Sequence, residues 1–309
     1  MCRPSCHPCD SPDSNYGIAS FIVNRTLEIT TNVGCSLACT YCPQPRIAKA
    51  YGKAKRTLGT RLMSFESFKT YISTVPASVD IHFSGFSEPF HNRETIAMAV
   101  HAHKKKHRVA VFTTLHGLSL DEIAPLADIP FKRFCVHLPD DGGLMRITVD
   151  DQHLRRLTSV AAARISGLEW MTLGKPHPLI ESFLGVQRSS DRVHSRAANV
   201  KIEPSDVRVA VSDAAIRART SGCSIICRRH RIHANVLMPN GDLQLCCMDY
   251  GLEERLGNLG EKSYKDIFHD EQFAGVIARL NDTNGKILCR RCEYAILGNY
   301  SLNDFQVSC

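Results

Sequence analysis

The sequence predicts an α/β protein: βα units around a parallel sheet, followed by a small α+β domain. From about residue 24 to 187, strand-like and helix-like stretches alternate, which argues for βα units around a parallel sheet. Five or six units can be counted, fewer than the eight of a closed barrel. After residue 222 the pattern changes to short strands, an Asn240-Gly241 turn and regularly spaced cysteines.

Residues 1–22 read as a tail, rich in Pro, Ser, Asp and Cys and without apolar periodicity. Cys2, Cys6 and Cys9 stand there at CxxxCxxC spacing, but two prolines (Pro4, Pro8) interrupt them and no strand precedes them. They are taken as incidental or as a minor metal site. The predicted strands are Thr26–Thr31, Val79–Ser84, Arg108–Thr114, Arg133–Leu138 and Leu168–Leu173, with a weakly patterned sixth near Asn199–Ile202. The predicted helices are Ser64–Val75, Asn92–Lys105, Leu120–Leu126 and Asp151–Ile165, with Ser64 and Asp150 or Asp151 as N-terminal caps. Core and connection divide as 23–205 and 206–222, and the last domain spans 223–309.

Composition bounds the chemistry. A chain of 309 residues with 43% hydrophobic content suits one large domain plus a small one. No run approaches the roughly 20 apolar residues that span a bilayer, and no apolar segment of a secretory signal is visible at the N-terminus. A cytoplasmic location is therefore expected, and 14 cysteines there point to metal rather than disulfides. The formal charge is +7, but the densest basic run, His101–His107, sits at a predicted helix end, where cations suit the dipole. Neither a nucleic-acid nor a membrane partner is expected.

The chemistry concentrates in Cys35-Ser-Leu-Ala-Cys39-Thr-Tyr-Cys42, directly after the first strand. Three thiolates at this spacing are soft ligands suited to an iron–sulfur cluster. A zinc loop completed by a distant His or Cys remains the alternative. At these residues the chain resembles the radical S-adenosylmethionine (radical SAM) superfamily: Cys35, Cys39 and Cys42 match its CxxxCxxC loop and Tyr41 its aromatic position. The resemblance implies a partial (βα)6 barrel and a [4Fe-4S] cluster held by three Cys, with S-adenosyl-L-methionine (AdoMet) on the open iron. It also implies a 5′-deoxyadenosyl radical and an electron donor such as flavodoxin or ferredoxin.

Three further strand ends carry polar groups. Phe83-Ser-Gly-Phe-Ser-Glu-Pro89 resembles the family's Gly-Gly-Glu-Pro segment, which implies cosubstrate contacts from Gly85, Ser87 and Glu88, the last facing an ammonium. An ordinary turn with an exposed acid is the alternative. Thr113 and Thr114 are similar to the family's Thr-Asn-Gly strand end, and His137 and Asp140 end the fourth strand.

In the tail, His233–Met238 and Leu243–Met248 read as strands about Asn240-Gly241, a strong hairpin signal. Cys227, Cys246, Cys289 and Cys292 then make a closed four-ligand site suited to zinc or [4Fe-4S]. Gly241-x4-Cys246, Leu256-Gly-Asn258 and Cys289-x2-Cys292 resemble the SPASM/twitch extension of radical SAM enzymes, which implies one auxiliary [4Fe-4S] cluster. The next cysteine after this pair is Cys309, the last residue. Cys223 is an alternative to Cys227. Cys247, next to a ligand on a strand, should face the other way and is either a small buried hydrophobe or a hydrogen-atom donor. Cys135 is expected in the core.

The expected function is hydrogen abstraction from an unactivated C–H bond of a small molecule. Resemblance implies a carbohydrate or aminocyclitol, either oxidised or epimerised. Two alternatives stand: a maturase acting on a ribosomal precursor peptide, and a non-enzymatic iron–sulfur or zinc scaffold or electron carrier.

Overall fold

The computed structural model describes residues 25–53, 60–184, 189–190, 192–193, 197, 208–209, 221–229 and 231–305. The tail with Cys2, Cys6 and Cys9, the strand expected near Asn199–Ile202, Cys309 and most of the connection 206–222 lie outside them.

Strands β1 (Thr26–Ile29), β2 (Asp80–Phe83), β3 (Val109–Thr113), β4 (Arg133–Leu138), β5 (Leu168–Leu173) and β6 (Ser189–Ser190) lie side by side in sequence order, each parallel to the next. Helices α1 (Gln44–Lys53), α2 (Phe65–Ile72), α3 (Thr95–Lys104), α4 (Asp151–Ala162) and α5 (Pro178–Leu184) lie between these strands in sequence. The result is an α/β partial barrel. Two short strands, β7 (Arg192–Val193) and β8 (Arg208–Val209), pair apart from this sheet.

Alternation along the strands divides the sheet into two faces. Leu27, Ile29, Ile81, Phe83, Val109, Val111, Phe134 and Val136 are buried in one cluster with Phe68 and Ile72 of α2 and Met98 and Ala102 of α3. Each such side chain contributes roughly 1.5–3 kcal/mol through burial. The residues between them point to the concave side, and there Glu28, His82, Phe112 and Arg133 are only half-buried. At the N-terminal ends of the strands the buried Asp80 carboxylate is bound by Arg108 and Lys132, each at 2.7 Å. The strand C-termini are thus left for function.

Local signals explain most boundaries. The Ser64 hydroxyl accepts from Ser67 N at 3.1 Å and the Asp150 carboxylate from His153 N at 2.8 Å, so both expected caps form. Two expectations are corrected. Leu120–Leu126 is not a helix; only a 3₁₀ turn forms at Ala124–Leu126, with Pro125 in its opening turn. Leu243–Met248 is not one strand either: β11 (Asp242–Gln244) stops at Gln244, beside a register shift. The chain then turns, Asp249 N donating to Cys246 O and the Asp249 carboxylate accepting from Glu253 N and Glu254 N.

The C-terminal segment joins the same sheet. β10 (Ala234–Leu237) pairs parallel to β1, and β11 and β12 (Arg255–Asn258) follow antiparallel. The Asn240-Gly241 hairpin forms with Gly241 alone at positive φ (+86°), its N–H on Met238 O. The turn therefore spans Pro239–Asn240 and closes on a left-handed glycine. Helices α6 (Tyr264–Ile267) and α7 (Glu271–Asn281) pack behind it, and β9 (Ile225–Cys227) pairs antiparallel with β13 (Ala295–Leu297).

Candidate active site and auxiliary metal site

The loop after β1 carries Cys35, Cys39 and Cys42, all half-buried. Its shape is fixed from three sides. Ala38 is left-handed (φ +48°), and Cys42 N donates to Cys39 O at 3.0 Å. The loop after β4 reaches over: Leu144 O accepts from Thr40 N at 2.9 Å and from the Thr40 hydroxyl at 3.2 Å, and Arg146 N donates to the Cys39 thiol. Asp140 holds that second loop, its two carboxylate oxygens accepting from Leu144 N and Met145 N at 2.8 Å each. The Tyr41 hydroxyl donates to Cys39, and its ring lies 5.8 Å from that of His137. Burial pushes the Cys35 thiol up to about 11, with Glu88, Cys39 and Cys42 adding to it. Burial raises Cys35 and Cys39, and a bound cation would stabilise both as thiolates. The donor set of the loop suits a metal cluster, although among the described residues no three such side chains are grouped to hold a metal ion as they stand.

Next to this loop, β2 ends at the cradle read from sequence. Gly85 has φ +48°, and a Cβ there would fall 2.8 Å from the Thr30 backbone, so glycine alone lets the two strand ends touch. Phe86 N donates to the Thr30 hydroxyl, and Gln44 Nε2 to Phe86 O. The Ser87 hydroxyl is buried without a partner, as expected of a group that meets a ligand. Glu88 is tied into the protein around it. Its carboxylate is filled from within: Oε1 accepts from the Thr113 hydroxyl (2.6 Å) and Phe90 N (3.3 Å), Oε2 from Thr114 N (2.7 Å) and the Thr114 hydroxyl (2.8 Å). Four donors occupy its acceptor positions. Glu88 thus clasps the ends of β2 and β3, and Thr113 and Thr114 are the other half of that clasp. Burial raises its pKa, and those same donors oppose the shift. His137 is pushed down to about 4 by burial, so it is neutral at pH 7.

A second centre lies at the far edge of the sheet. Cys227, Cys246, Cys289 and Cys292 line one cavity walled by Ile226, Leu245, Met248, Leu280 and Tyr294. Burial raises Cys246 and Cys289 well above the usual thiol range, and the neighbouring thiols raise them further. Four thiols lining one apolar chamber are the donor type of a closed metal site. Cys223 does not line the chamber; its carbonyl accepts from Arg290.

Cys246 and Cys247 face opposite ways, as expected, although a turn rather than strand alternation separates them. Cys247 is 5% exposed in an apolar cluster with Val33, Ile47, Phe86, Met238 and Tyr250, against which Cys42 packs. Cys135 is buried on its strand.

Residues 227–293 match the family model of SPASM, described as an iron-sulfur cluster-binding domain. The matched span lies behind the partial α/β barrel. BtrN in complex with AdoMet and 2-DOIA superposes with a TM-score of 0.55 at 16% identity, over 88% of this chain and 92% of that one. Native anSMEcpe with bound AdoMet gives 0.56 at 12% identity, over 87% and 86%. Streptococcus suis SuiB bound to S-adenosylmethionine gives 0.54 at 14%, over 90% and 73%. At these identities the likeness is one of fold. No curated protein matches the chain in sequence. The matched SPASM span begins at Cys227 and takes in Cys246, Cys289 and Cys292, while Cys223 falls outside it.

Sequence reasoning missed several supports of this site. Helix α1 follows the cluster loop at once, with Gln44, Ile47 and Tyr51 buried; that spacing was legible. Asn92, whose Nδ2 donates to Thr31 O and Met63 O, and the Asp140 loop left no local signal.

Proposed function

We propose that this protein is a radical SAM oxidoreductase acting on a small polar molecule. The observation that carries the reading is the pairing, in one chain, of a three-thiol loop beside the Gly85–Glu88 cradle with a closed four-thiol SPASM chamber. A [4Fe-4S] cluster held at the first with AdoMet beside it would supply a 5′-deoxyadenosyl radical, and a second cluster held in the chamber would supply a one-electron acceptor.

The chain's own residues prepare this. Cys35, Cys39 and Cys42 hold the first cluster, and Cys227, Cys246, Cys289 and Cys292 the second. Ser87, with the Gly85 backbone, contacts the cosubstrate, while Glu88, Thr113 and Thr114 keep that cradle in shape. Tyr41 and neutral His137 wall the loop. A bound radical would take one hydrogen atom from a carbinol carbon, an oxidised cluster in the chamber would accept one electron and solvent the hydroxyl proton, leaving a ketone. The burial of Cys247 among apolar side chains favours this outcome over epimerisation. The electron enters from a flavodoxin- or ferredoxin-type donor, and the setting is cytoplasmic. A second reading, peptide modification, draws support from the fold shared with SuiB, which has been solved bound to its precursor peptide SuiA.

The test is anaerobic reconstitution. Wild type should bind about eight irons per chain, at four per cubane, and release 5′-deoxyadenosine from AdoMet. The triple change of Cys35, Cys39 and Cys42 to Ala should keep about half of that iron and lose all cleavage. Cleavage surviving that change would overturn the proposal.

A further inference from the structure

A charged cleft of about 510 Å³ lies between α1 and the edge strands β11 and β12, a size that suits a small molecule. No cysteine of either thiol site lines it. Its floor is apolar: Tyr51, Met238 and Leu252 line the cleft and also belong to the cluster that buries Cys247 and packs against Cys42. Register supplies one wall. Val236, Gln244 and Arg255 pair across β10, β11 and β12, and Val236 lies in that same apolar cluster, so Gln244 and Arg255 face the α1 side of the sheet. Asp242, two residues before Gln244, shares the face. The other wall is α1, where Arg46, Lys49 and Lys53 stand three and four residues apart and so share one side of the helix.

Four cations face two carboxylates here, and both carboxylates are already engaged. Asp242 Oδ1 accepts from Arg255 Nε at 2.7 Å and from Asn258 Nδ2 at 3.0 Å, and Oδ2 accepts from Asn240 Nδ2 at 2.7 Å. Glu253 Oε1 accepts from Arg46 at 2.9 Å and from Arg291 at 2.8 Å, and Oε2 from Arg291 at 2.7 Å. The cations keep unused donors. Lys49 and Lys53 are exposed and have no ion pair among the described residues. Arg255 spends Nε on Asp242, but its Nη2 is enclosed without a hydrogen-bond partner, 3.9 Å from Glu261. Gln244 is 3% exposed, and its Oε1 is likewise enclosed and unpartnered. Native proteins seldom leave two buried polar atoms side by side without a ligand or ordered water to complete them.

We propose that this cleft binds a phosphate-bearing small molecule, at a site separate from the cradle beside the cluster loop. A phosphate group carries nearly two negative charges and three strong acceptor oxygens. That suits two free ammonium groups and one guanidinium better than a carboxylate does. The planar fork of Arg255 offers Nη2 to a phosphate oxygen while Nε keeps Asp242. The Gln244 amide has a donor end and an acceptor end, and either can be turned to the ligand. The bound group links α1, which follows the cluster loop, to β12 in the segment matched by the SPASM model. Binding here is independent of the reaction proposed above.

Calorimetric titration of the anaerobically reconstituted holoenzyme, without reductant, tests this. The probes are glycerol 3-phosphate, inorganic phosphate, succinate and glycerol. A phosphate probe should saturate a single site, succinate should bind more weakly, and glycerol should not bind. Preference for glycerol 3-phosphate over inorganic phosphate assigns the site to an ester, and the reverse order to the free ion. Changing Lys49→Gln and Lys53→Gln together should weaken binding about tenfold or more, the effect of losing a charge-assisted hydrogen bond. Both residues are exposed, so this variant folds even if Arg255→Lys, which should also weaken binding, does not. Lys104→Gln, on the exposed end of α3, should leave affinity unchanged. Saturating AdoMet should not displace the probe. Failure of both phosphate probes to saturate, succinate or glycerol binding as tightly, displacement by AdoMet, or wild-type affinity in the double variant would overturn the proposal.

Discussion

At the scale of single residues, Glu88 is the position where chemistry and architecture are hardest to tell apart. Its carboxylate accepts from Thr113, Thr114 twice and Phe90, all within the protein. Glu88→Gln places an amide NH2 against donors that need an acceptor, which leaves buried groups unpaired at about 1–3 kcal/mol. Chemical unfolding of the anaerobic holoenzyme should therefore show lower stability, with AdoMet affinity falling as a consequence. Unchanged stability with affinity alone lost would make Glu88 a direct ligand contact. A second residue-scale effect is acid sensitivity. Burial, and then His116, push His91 down to about 4, while burial first holds His82 and His153 near the same value. The unfolded chain, with histidines near 6.5, then binds more protons than the native state between about pH 6.5 and 4. Stability must fall with falling pH across that window, by up to about 1.4 kcal/mol per pH unit for each such histidine. Urea titrations from pH 7 to 5 should show that slope, and His91→Gln should flatten it; an unchanged slope would mean His91 titrates alike in both states.

At the scale of elements, one loop shapes another. The Asp140 carboxylate gathers Leu144 N and Met145 N, and the loop so formed offers Leu144 O to Thr40 and Arg146 N to Cys39. Asp140→Ala should loosen the cluster loop without removing a ligand. Iron content should stay near wild type while AdoMet cleavage drops at least tenfold, read by iron assay and deoxyadenosine yield on one preparation. Loss of iron in parallel would mean the loop cannot hold a cluster unaided. This coupling also marks the limit of what the sequence told. The strands at Arg133–Leu138 and Leu168–Leu173 and the Ser64 cap were legible, because period and capping are local. The inward face of the half-barrel was not, because Glu28, His82 and Arg133 meet only through register across four strands. Nor was the end of β11, where a buried Asp249 outcompetes strand continuation by capping two amides of the next turn.

For the whole molecule, the hairpin at the edge of the barrel sheet sets the relation between the two thiol sites. β10 pairs with β1, the strand that leads into the Cys35 loop, so the segment matched by the SPASM model extends the barrel sheet directly. The turn after β11 then sends adjacent residues to different centres, Cys246 into the four-thiol chamber and Cys247 into the apolar cluster that Cys42 touches. Under the oxidation proposed above, the two centres would exchange an electron and Cys247 would serve packing alone. A donor thiol must meet the substrate carbon, whereas Cys247 is covered by Phe86, Tyr250 and Met238. The oxidation reading therefore predicts a product two hydrogens lighter than its substrate. In deuterated buffer that product should carry no deuterium at its non-exchangeable carbons, and Cys247→Ser should still form it at near wild-type rate by mass spectrometry. An epimerase built on the same fold would behave oppositely. Its product would have the substrate's composition plus one solvent deuterium, since a thiol exchanges its hydrogen with water, and Cys247→Ser would cleave AdoMet without completing turnover. Appearance of that label in the wild-type product would move Cys247 from packing into chemistry and reverse the assignment.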